Sequence, residues 1–376
     1  MMNAPENKTQ FMLTEGAAEN QKIAFIHILR GLAIIMVLAA HVPGLWLLNR
    51  NQVWSVFQFY KIDILAPLQI SDGGGHLGVI VFFLISGYII STVAQKETRI
   101  EFLVKRFFRL FPTLLVCCAI AYVLVAVSNA FAIGPIYGTD AVTVIDFIKS
   151  AFMLSWFAQT PRALSVAWSL MPELIFYSWV FFLINYMRNS PMKSTFLMLM
   201  AYMLMTFPMS QVPYLSYFGY FTVYMPVFFI GRILYLDQQK KITTQQTLAL
   251  LVFCSAIFIT IYNGRFPGEL FRADSGRIWN YVFGIAIFYG LMHSNIKSCP
   301  RIISFFADIS YSLYLVHLPV GMFILNLMEP LHIPFSIKCV VAISTAIASA
   351  VIIHHVVERP AQRVARRALS MKSKGH

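Results

Sequence analysis

Charged side chains are scarce in this sequence: Asp, Glu, Lys and Arg together make up only 12% of its 376 residues. A soluble domain of ordinary composition carries about twice that fraction. The hydrophobic fraction is 58%, and the mean hydropathy is +0.68. These values exclude a soluble globular protein and predict an all-α, polytopic membrane protein.

The common signatures of nucleotide, metal and hydrolase chemistry are also missing from the sequence. It contains no phosphate-binding loop, no dinucleotide fingerprint and no serine nucleophile elbow. Its five cysteines lack metal-ligand or redox spacing, so we interpret them as small packing residues and predict no metal. The net charge of +13 does not indicate nucleic acid, because the basic residues flank apolar segments instead of forming a patch on a soluble fold.

About ten apolar segments are candidates for crossing a bilayer. Most of the 29 Lys and Arg lie on one side if the N-terminus is cytoplasmic, and both termini are then cytoplasmic. We interpret 1–21 as a polar cytoplasmic segment, 22–362 as the membrane domain and 363–376 as a basic cytoplasmic tail. The predicted spans are 24–48, 76–95, 110–132, 165–187, 194–208, 214–236, 245–262, 278–293, 309–328 and 335–356.

Arg30 and His41 are two of the ionisable side chains of the first predicted span, which is otherwise mainly apolar. Eleven residues at ~100° each return to within ~20° of the start, so both side chains share one helix face. Their backbone positions lie roughly 16 Å apart along the axis. Either the pair marks an interior functional face, or Arg30 reaches the headgroups and His41 is an interfacial histidine.

The fourth predicted span contains a polar stripe. Ser169, Glu173 and Tyr177 follow one another at intervals of four residues and therefore share a helix face. A carboxylate at this depth needs a partner, for which we expect Arg30, a histidine or a loop arginine. A functional site is favoured over a purely structural ion pair.

Two groups of charges are expected at the inner membrane surface. Arg106 and Arg109 lie in a basic segment just before the third span, which Pro112 is expected to open. Attraction to anionic lipid explains such a cluster, and so does a grip on a phosphate-rich cytosolic donor. Glu358, at the end of the tenth span, is expected at the same interface.

Polar residues also occur in the second and ninth spans. The Ser86-Gly87 pair indicates close helix packing more strongly than chemistry. Ser310, Tyr314 and His317 share one face of the ninth span, with His317 near mid-membrane.

Seven short motifs follow one another from about residue 22 to 362. They are Arg30 with His41, the stretch 82–88, Arg106-Phe107-Phe108-Arg109, Trp168-Ser169-Leu170 with Glu173, Phe228-Phe229-Ile230-Gly231, Ser310-Tyr311 with Tyr314 and His317, and Glu358-Arg359-Pro360. In these motifs and their order the chain resembles the acyltransferase 3 family of integral-membrane O-acyltransferases. One position departs from the family pattern, because His27 stands where an acidic residue often precedes the arginine.

The resemblance implies ten spans, an acyl-CoA donor and a carbohydrate hydroxyl acceptor. We therefore expect an acyltransferase of the inner (cytoplasmic) membrane. It is expected to move an acyl group, for which acetyl is favoured, from acyl-CoA to a hydroxyl of a cell-envelope glycan or a lipid-linked saccharide. The expected site residues are the catalytic His41, Arg30 and Glu173, the donor-binding Arg106 and Arg109, and the supporting Ser86, Tyr314 and His317.

Each of these residues has an expected role. His41 is the general base, because a neutral imidazole accepts a proton near pH 7. Arg30 stabilises either donor charge or the oxyanion. Glu173 and His317 orient the base or complete the cavity. The alternative function is a proton-coupled transporter or flippase, which intramembrane Arg, Glu and His would also suit; the sequence shows no internal repeat to favour it.

Overall fold

The structure is a computed structural model that describes residues 24–139, 143–211, 219, 221–265, 268, 271 and 277–373. The predicted cytoplasmic segment 1–21 lies outside these residues. Within them the chain is all-helical and has no β-strand.

Thirteen helices of eight or more residues form the described fold, joined by short helical turns. Helix α13 follows α12 through one π turn, His354–Glu358, without a break. The helices are α1 Ala24–Asn49, α2 Gly75–Val93, α3 Arg99–Ala130, α4 Val144–Ala151, α5 Leu170–Asn189, α6 Pro191–Gln211, α7 Met225–Gln238, α8 Thr244–Arg265, α9 Ile278–His293, α10 Arg301–Asp308, α11 Ser310–Leu327, α12 Phe335–Ile353 and α13 Arg359–Ser373.

The chain is a multi-pass membrane protein. Seven helical segments of the described residues are long and apolar enough to cross a bilayer, and α9 is a shorter apolar helix. The ten-span count and the orientation of the termini remain predictions. The seven segments are Ala24–Asn49, Asp72–Val93, Arg99–Ala130, Ser165–Asn189, Thr244–Arg265, Ser310–Leu327 and Phe335–Met371.

Helix α3 begins earlier than the sequence predicted. Thr98 and Glu101 form a capping box that satisfies the first free N–H groups, so the helix begins at Arg99 rather than at 110. Pro112 lies inside α3 instead of opening it. Arg106 and Arg109 therefore project from a regular helix, and their spacing of three residues puts them on neighbouring parts of one face.

Helices α2 and α11 are the most enclosed of the apolar segments. At the crossing of α2 and α7, a Cβ on Gly87 would lie 2.0 Å from the Phe228 carbonyl oxygen, and one on Gly231 would lie 2.1 Å from that of Leu84. Only glycine permits so close an approach of two backbones. The packing interpretation of Gly87 is confirmed by this contact.

The start of α2 is shaped by the glycine turn Gly73-Gly74-Gly75. Gly73 has φ +59° and Gly74 φ +80°, which are left-handed values that favour glycine. The turn brings α2 back against α1, where a Cβ on Gly75 would lie 2.9 Å from that of Ala40.

Candidate functional site

A cavity of about 730 Å³ lies between α1, α2, α3, α5 and α11. Six of the eight residues predicted for the site line it, whereas His41 and His317 do not. Its walls carry both arginine and aromatic side chains, so it can take a ligand with a charged part and an apolar part. The six predicted residues are Arg30, Ser86, Arg106, Arg109, Glu173 and Tyr314.

Arg30 and His41 of α1 face the same neighbouring helix, α11, as their shared helix face predicted. The Arg30 guanidinium donates to the Ser310 hydroxyl over 2.9 Å. Two turns further along α11, Nδ1 of His41 lies 2.9 Å from Nε2 of His317. Ser310 and His317 are seven residues apart on α11, which corresponds to a rise of roughly 10 Å. The Arg30 guanidinium and the His41 imidazole therefore lie about that far apart along the helix axis.

Glu173 is held by hydroxyl groups. It accepts a 3.1 Å hydrogen bond from Ser86 on α2 and another from Tyr177 on its own helix. Among the described residues no cation lies within ion-pair distance of it, so none of the predicted partners pairs with it directly. The predicted stripe is real, since Ser169, Glu173 and Tyr177 all line the cavity.

Arg106 and Arg109 point into the same cavity from α3. The guanidinium of Arg106 lies over the Phe102 ring at 5.7 Å, while its Nε is buried and lacks a hydrogen-bond partner. Partly buried arginines that lack an ion-pair partner are favourable binding groups for an anion, because a ligand can complete their hydrogen bonding. The cavity is therefore suited to an anionic ligand.

His41 and His317 form a stacked pair, with ring centroids 5.1 Å apart and planes 9° from parallel. Nδ1 of His317 lies 3.0 Å from the Leu313 carbonyl, which can only accept, so this nitrogen carries the proton. In two neutral rings His317 Nε2 then accepts from His41 Nδ1. This leaves the lone pair on His41 Nε2, which a Cβ on Gly75 would approach to 3.8 Å.

Tyr314 separates the cavity from the histidine pair. It lines the cavity, and its ring centroid lies 6.0 Å from that of His317, one turn further along α11. Its hydroxyl lies 2.8 Å from Ser169 Oγ and 2.9 Å from the Val166 carbonyl oxygen. The cavity thus ends about one helical turn short of His41.

The profile of an acyltransferase domain, that of the acyltransferase 3 family, matches residues 23–355. The chain belongs to this family. No curated protein and no solved structure matches the chain. The match covers every helix that bounds the cavity, and it identifies this domain as a membrane acyltransferase.

Sequence reasoning missed one polar cluster of the acyltransferase. Glu358 was expected as a charge at the inner interface, and its side chain is only 3% exposed, so it has partners inside the protein. It accepts hydrogen bonds from Ser312 at 2.7 Å and from His354 Nδ1 at 3.0 Å. The spacing of His354 and Glu358, four residues apart on a helix, was the available signal.

A surface ion pair fixes the other end of the α1–α11 contact. Arg50 donates to both carboxylate oxygens of Glu329, at 2.8 and 2.6 Å, and to Asn326 at 2.8 Å. Hydrogen bonding from Arg50, opposed in part by burial, holds the pKa of the Glu329 carboxyl below its ordinary value. This clamp joins the two helices at the end nearer the histidine pair.

Proposed function

We propose that this acyltransferase moves an acetyl group from acetyl-CoA to a hydroxyl of a cell-envelope glycan or lipid-linked saccharide. The observation that supports the proposal is the arginine-lined cavity that ends one turn from His41. An acyl-CoA matches this arrangement of arginines at one end and His41 beyond the other, because its phosphates lie at one end and its thioester at the other.

The length of the donor fits this arrangement. The pantetheine chain of CoA has about as many chain atoms as four residues, which span about 14 Å when extended. The guanidinium of Arg30 and the imidazole of His41 are roughly 10 Å apart along α11. A donor whose phosphates are held at the arginine end therefore presents its thioester at the level of Tyr314 and His41.

His41 is the proposed general base. Its Nε2 takes the proton of the acceptor hydroxyl while the oxygen attacks the thioester carbonyl carbon. The tetrahedral intermediate then expels the CoA thiolate as the C–S bond breaks. The thiolate takes up the proton from the imidazolium, which restores the base.

Arg30 acts on donor charge rather than on the oxyanion. A separation of roughly 10 Å prevents its guanidinium and His41 from contacting the same thioester carbonyl, because a hydrogen bond needs about 3 Å. His317 orients the base, since it accepts from His41 Nδ1. Glu173, held by Ser86 and Tyr177, shapes the cavity.

The positive-inside rule favours ten spans with both termini in the cytoplasm of an inner membrane. The arginine end then faces the cytoplasm, where acyl-CoA is available. His41 lies near the glycine turn at the opposite end of α2, which suits an acceptor that arrives from the outer side.

The test uses purified protein in nanodiscs with acetyl-CoA labelled in the acetyl group and a cell-envelope glycan fraction. We expect CoA thiol to appear and label to enter the glycan in equal amounts. The matched inactive control is His41→Ala. Mass spectrometry of envelope glycans with and without the gene then identifies the product. Movement of saccharide across a liposome membrane without CoA release would contradict the proposal and support the transporter.

A further inference from the structure

A second cleft, of about 810 Å³, lies beside the cavity and is lined largely by charged residues. Five arginines line it against two carboxylates, so its charge favours an anion. Neither the sequence motifs nor the proposed chemistry uses it as a whole. Its walls are Arg30, Arg109, Asp308, His354, Glu358, Arg359, Gln362, Arg363 and Arg366.

Helix α13 supplies three of these arginines from one face. Arg359, Arg363 and Arg366 follow the spacing i, i+4 and i+7, which places them in one row along the helix. Ala365 lies on another side of the helix and is buried against the rest of the protein. The neighbouring Arg367 is also exposed, but it does not line the cleft.

A buried imidazole adds a second, independent sign of a ligand. His354 is 6% exposed, and its Nδ1 donates to Glu358. Its Nε2 is fully buried and has no hydrogen-bond partner, although the residue lies in the wall of the cleft. Buried polar atoms are seldom left unpaired, and this nitrogen is an acceptor when Nδ1 carries the proton, so it is available to a hydroxyl or amino group of a ligand.

The cleft and the cavity meet at two shared residues. Arg30 and Arg109 line both spaces, so a single elongated molecule can occupy the cleft at one end and the cavity at the other. A lipid headgroup would need only the exposed arginines of α13. The continuity with the cavity favours a soluble ligand with several phosphates.

We propose that this cleft binds the phosphorylated nucleotide end of the acyl donor, with Arg359, Arg363 and Arg366 on its outermost phosphate. The inference rests on the proposed function, and it assigns the donor's outermost phosphate to α13, which leaves Arg106 and Arg109 with the phosphates nearest the pantetheine chain. Arg30 and Arg109 then hold the junction where the pantetheine chain enters the cavity.

The test measures binding of adenosine 3′,5′-bisphosphate, the nucleotide end of CoA, to the full-length protein in phosphatidylcholine nanodiscs. We expect Arg363→Gln combined with Arg366→Gln to weaken binding by about tenfold or more, because charge-assisted hydrogen bonds to phosphate are lost. Arg367→Gln removes one equal charge beside the cleft and is expected to change affinity by less than about twofold. Thermal melting of each variant reports its folding.

A second arm separates nucleotide from lipid. Replacing part of the phosphatidylcholine by anionic phosphatidylglycerol is expected to leave nucleotide binding nearly unchanged. If the double variant loses bound phosphatidylglycerol but keeps its nucleotide affinity, the cleft is a headgroup site and the proposal is overturned. Failure of the parent protein to bind the bisphosphate overturns it as well.

Binding and turnover give distinguishable failures. Arginine-dependent nucleotide binding without CoA release from acetyl-CoA keeps the cleft assignment and removes the proposed function. Normal turnover with an unchanged donor KM in the double variant keeps the function and removes the cleft assignment.

Discussion

The contact between α1 and α11 has an arginine end, around Arg30, and a histidine end, around His41. The two ends differ in charge and in packing. Around Arg30 a cavity and a cleft meet at the guanidinium. Around His41 two rings stack, and the glycine turn packs against the backbone. An open, charged region suits binding of a non-reacting part of a substrate, whereas a tight pair with one free lone pair suits proton transfer.

The largest expected effect is at the histidine end. We expect His41→Ala to lower kcat for acyl transfer by ~10²–10⁴, because it removes the general base. Folding should be retained, since the residue is only half-buried. His293→Ala, at an exposed histidine of α9, is the control. Near-parent glycan acylation by the His41 variant would remove the base assignment.

His317 acts through His41 and has its own signature. We expect His317→Ala to lower kcat by about 10-fold to 100-fold without changing donor KM, because His41 loses the acceptor that orients it. His317→Gln restores a side-chain oxygen that can accept from His41 Nδ1, and it should recover part of the rate. A change in donor KM with kcat unaltered would place His317 in binding instead.

At the arginine end the expected effect is on binding. We expect Arg106→Gln combined with Arg109→Gln to raise the donor KM by about tenfold, with acceptor KM unchanged, because both residues contact a part that does not react. Added salt should weaken donor binding more in the parent than in the variant. Lys193→Gln, at an exposed cation of α6, is the control. Changed insertion with an unchanged donor KM would assign both arginines to lipid contact.

The sequence predicted which residues share a helix face more accurately than it predicted which helices are in contact. Helical periodicity placed Arg30 with His41, and Ser169 with Glu173, on common faces, and the structure agrees. Periodicity cannot show which helices meet, so the contact between His41 and His317, 276 residues apart, was not predicted.

The partners of charged groups were also not predicted. Arg106 and Arg109 line the cavity between the helices, and Glu358 is hydrogen-bonded to Ser312 and His354. A hydropathy pattern reports how apolar a segment is on average. It does not report whether a single charge finds partners inside.

The smallest expected effect concerns the clamp formed by Arg50 and Glu329 at the histidine end. The pKa of Glu329 is lowered in the folded protein, so the unfolded chain binds more protons near pH 4. The clamp's contribution is therefore fully present above the unfolded pKa of about 4.3 and is lost as pH falls through the folded pKa.

The carboxyl is 42% exposed, so we expect only about 0.2–1 kcal/mol from the pair. Thermal melting between neutral pH and pH 3 should show the parent approaching the stability of Glu329→Gln as the carboxyl protonates. Asp63→Asn, at an exposed carboxylate of the loop before α2, is the control and should follow the parent. If kcat falls in Glu329→Gln while donor KM is unchanged, the clamp also holds the histidine pair in register. An equal fall in the control would instead indicate a general effect of surface charge.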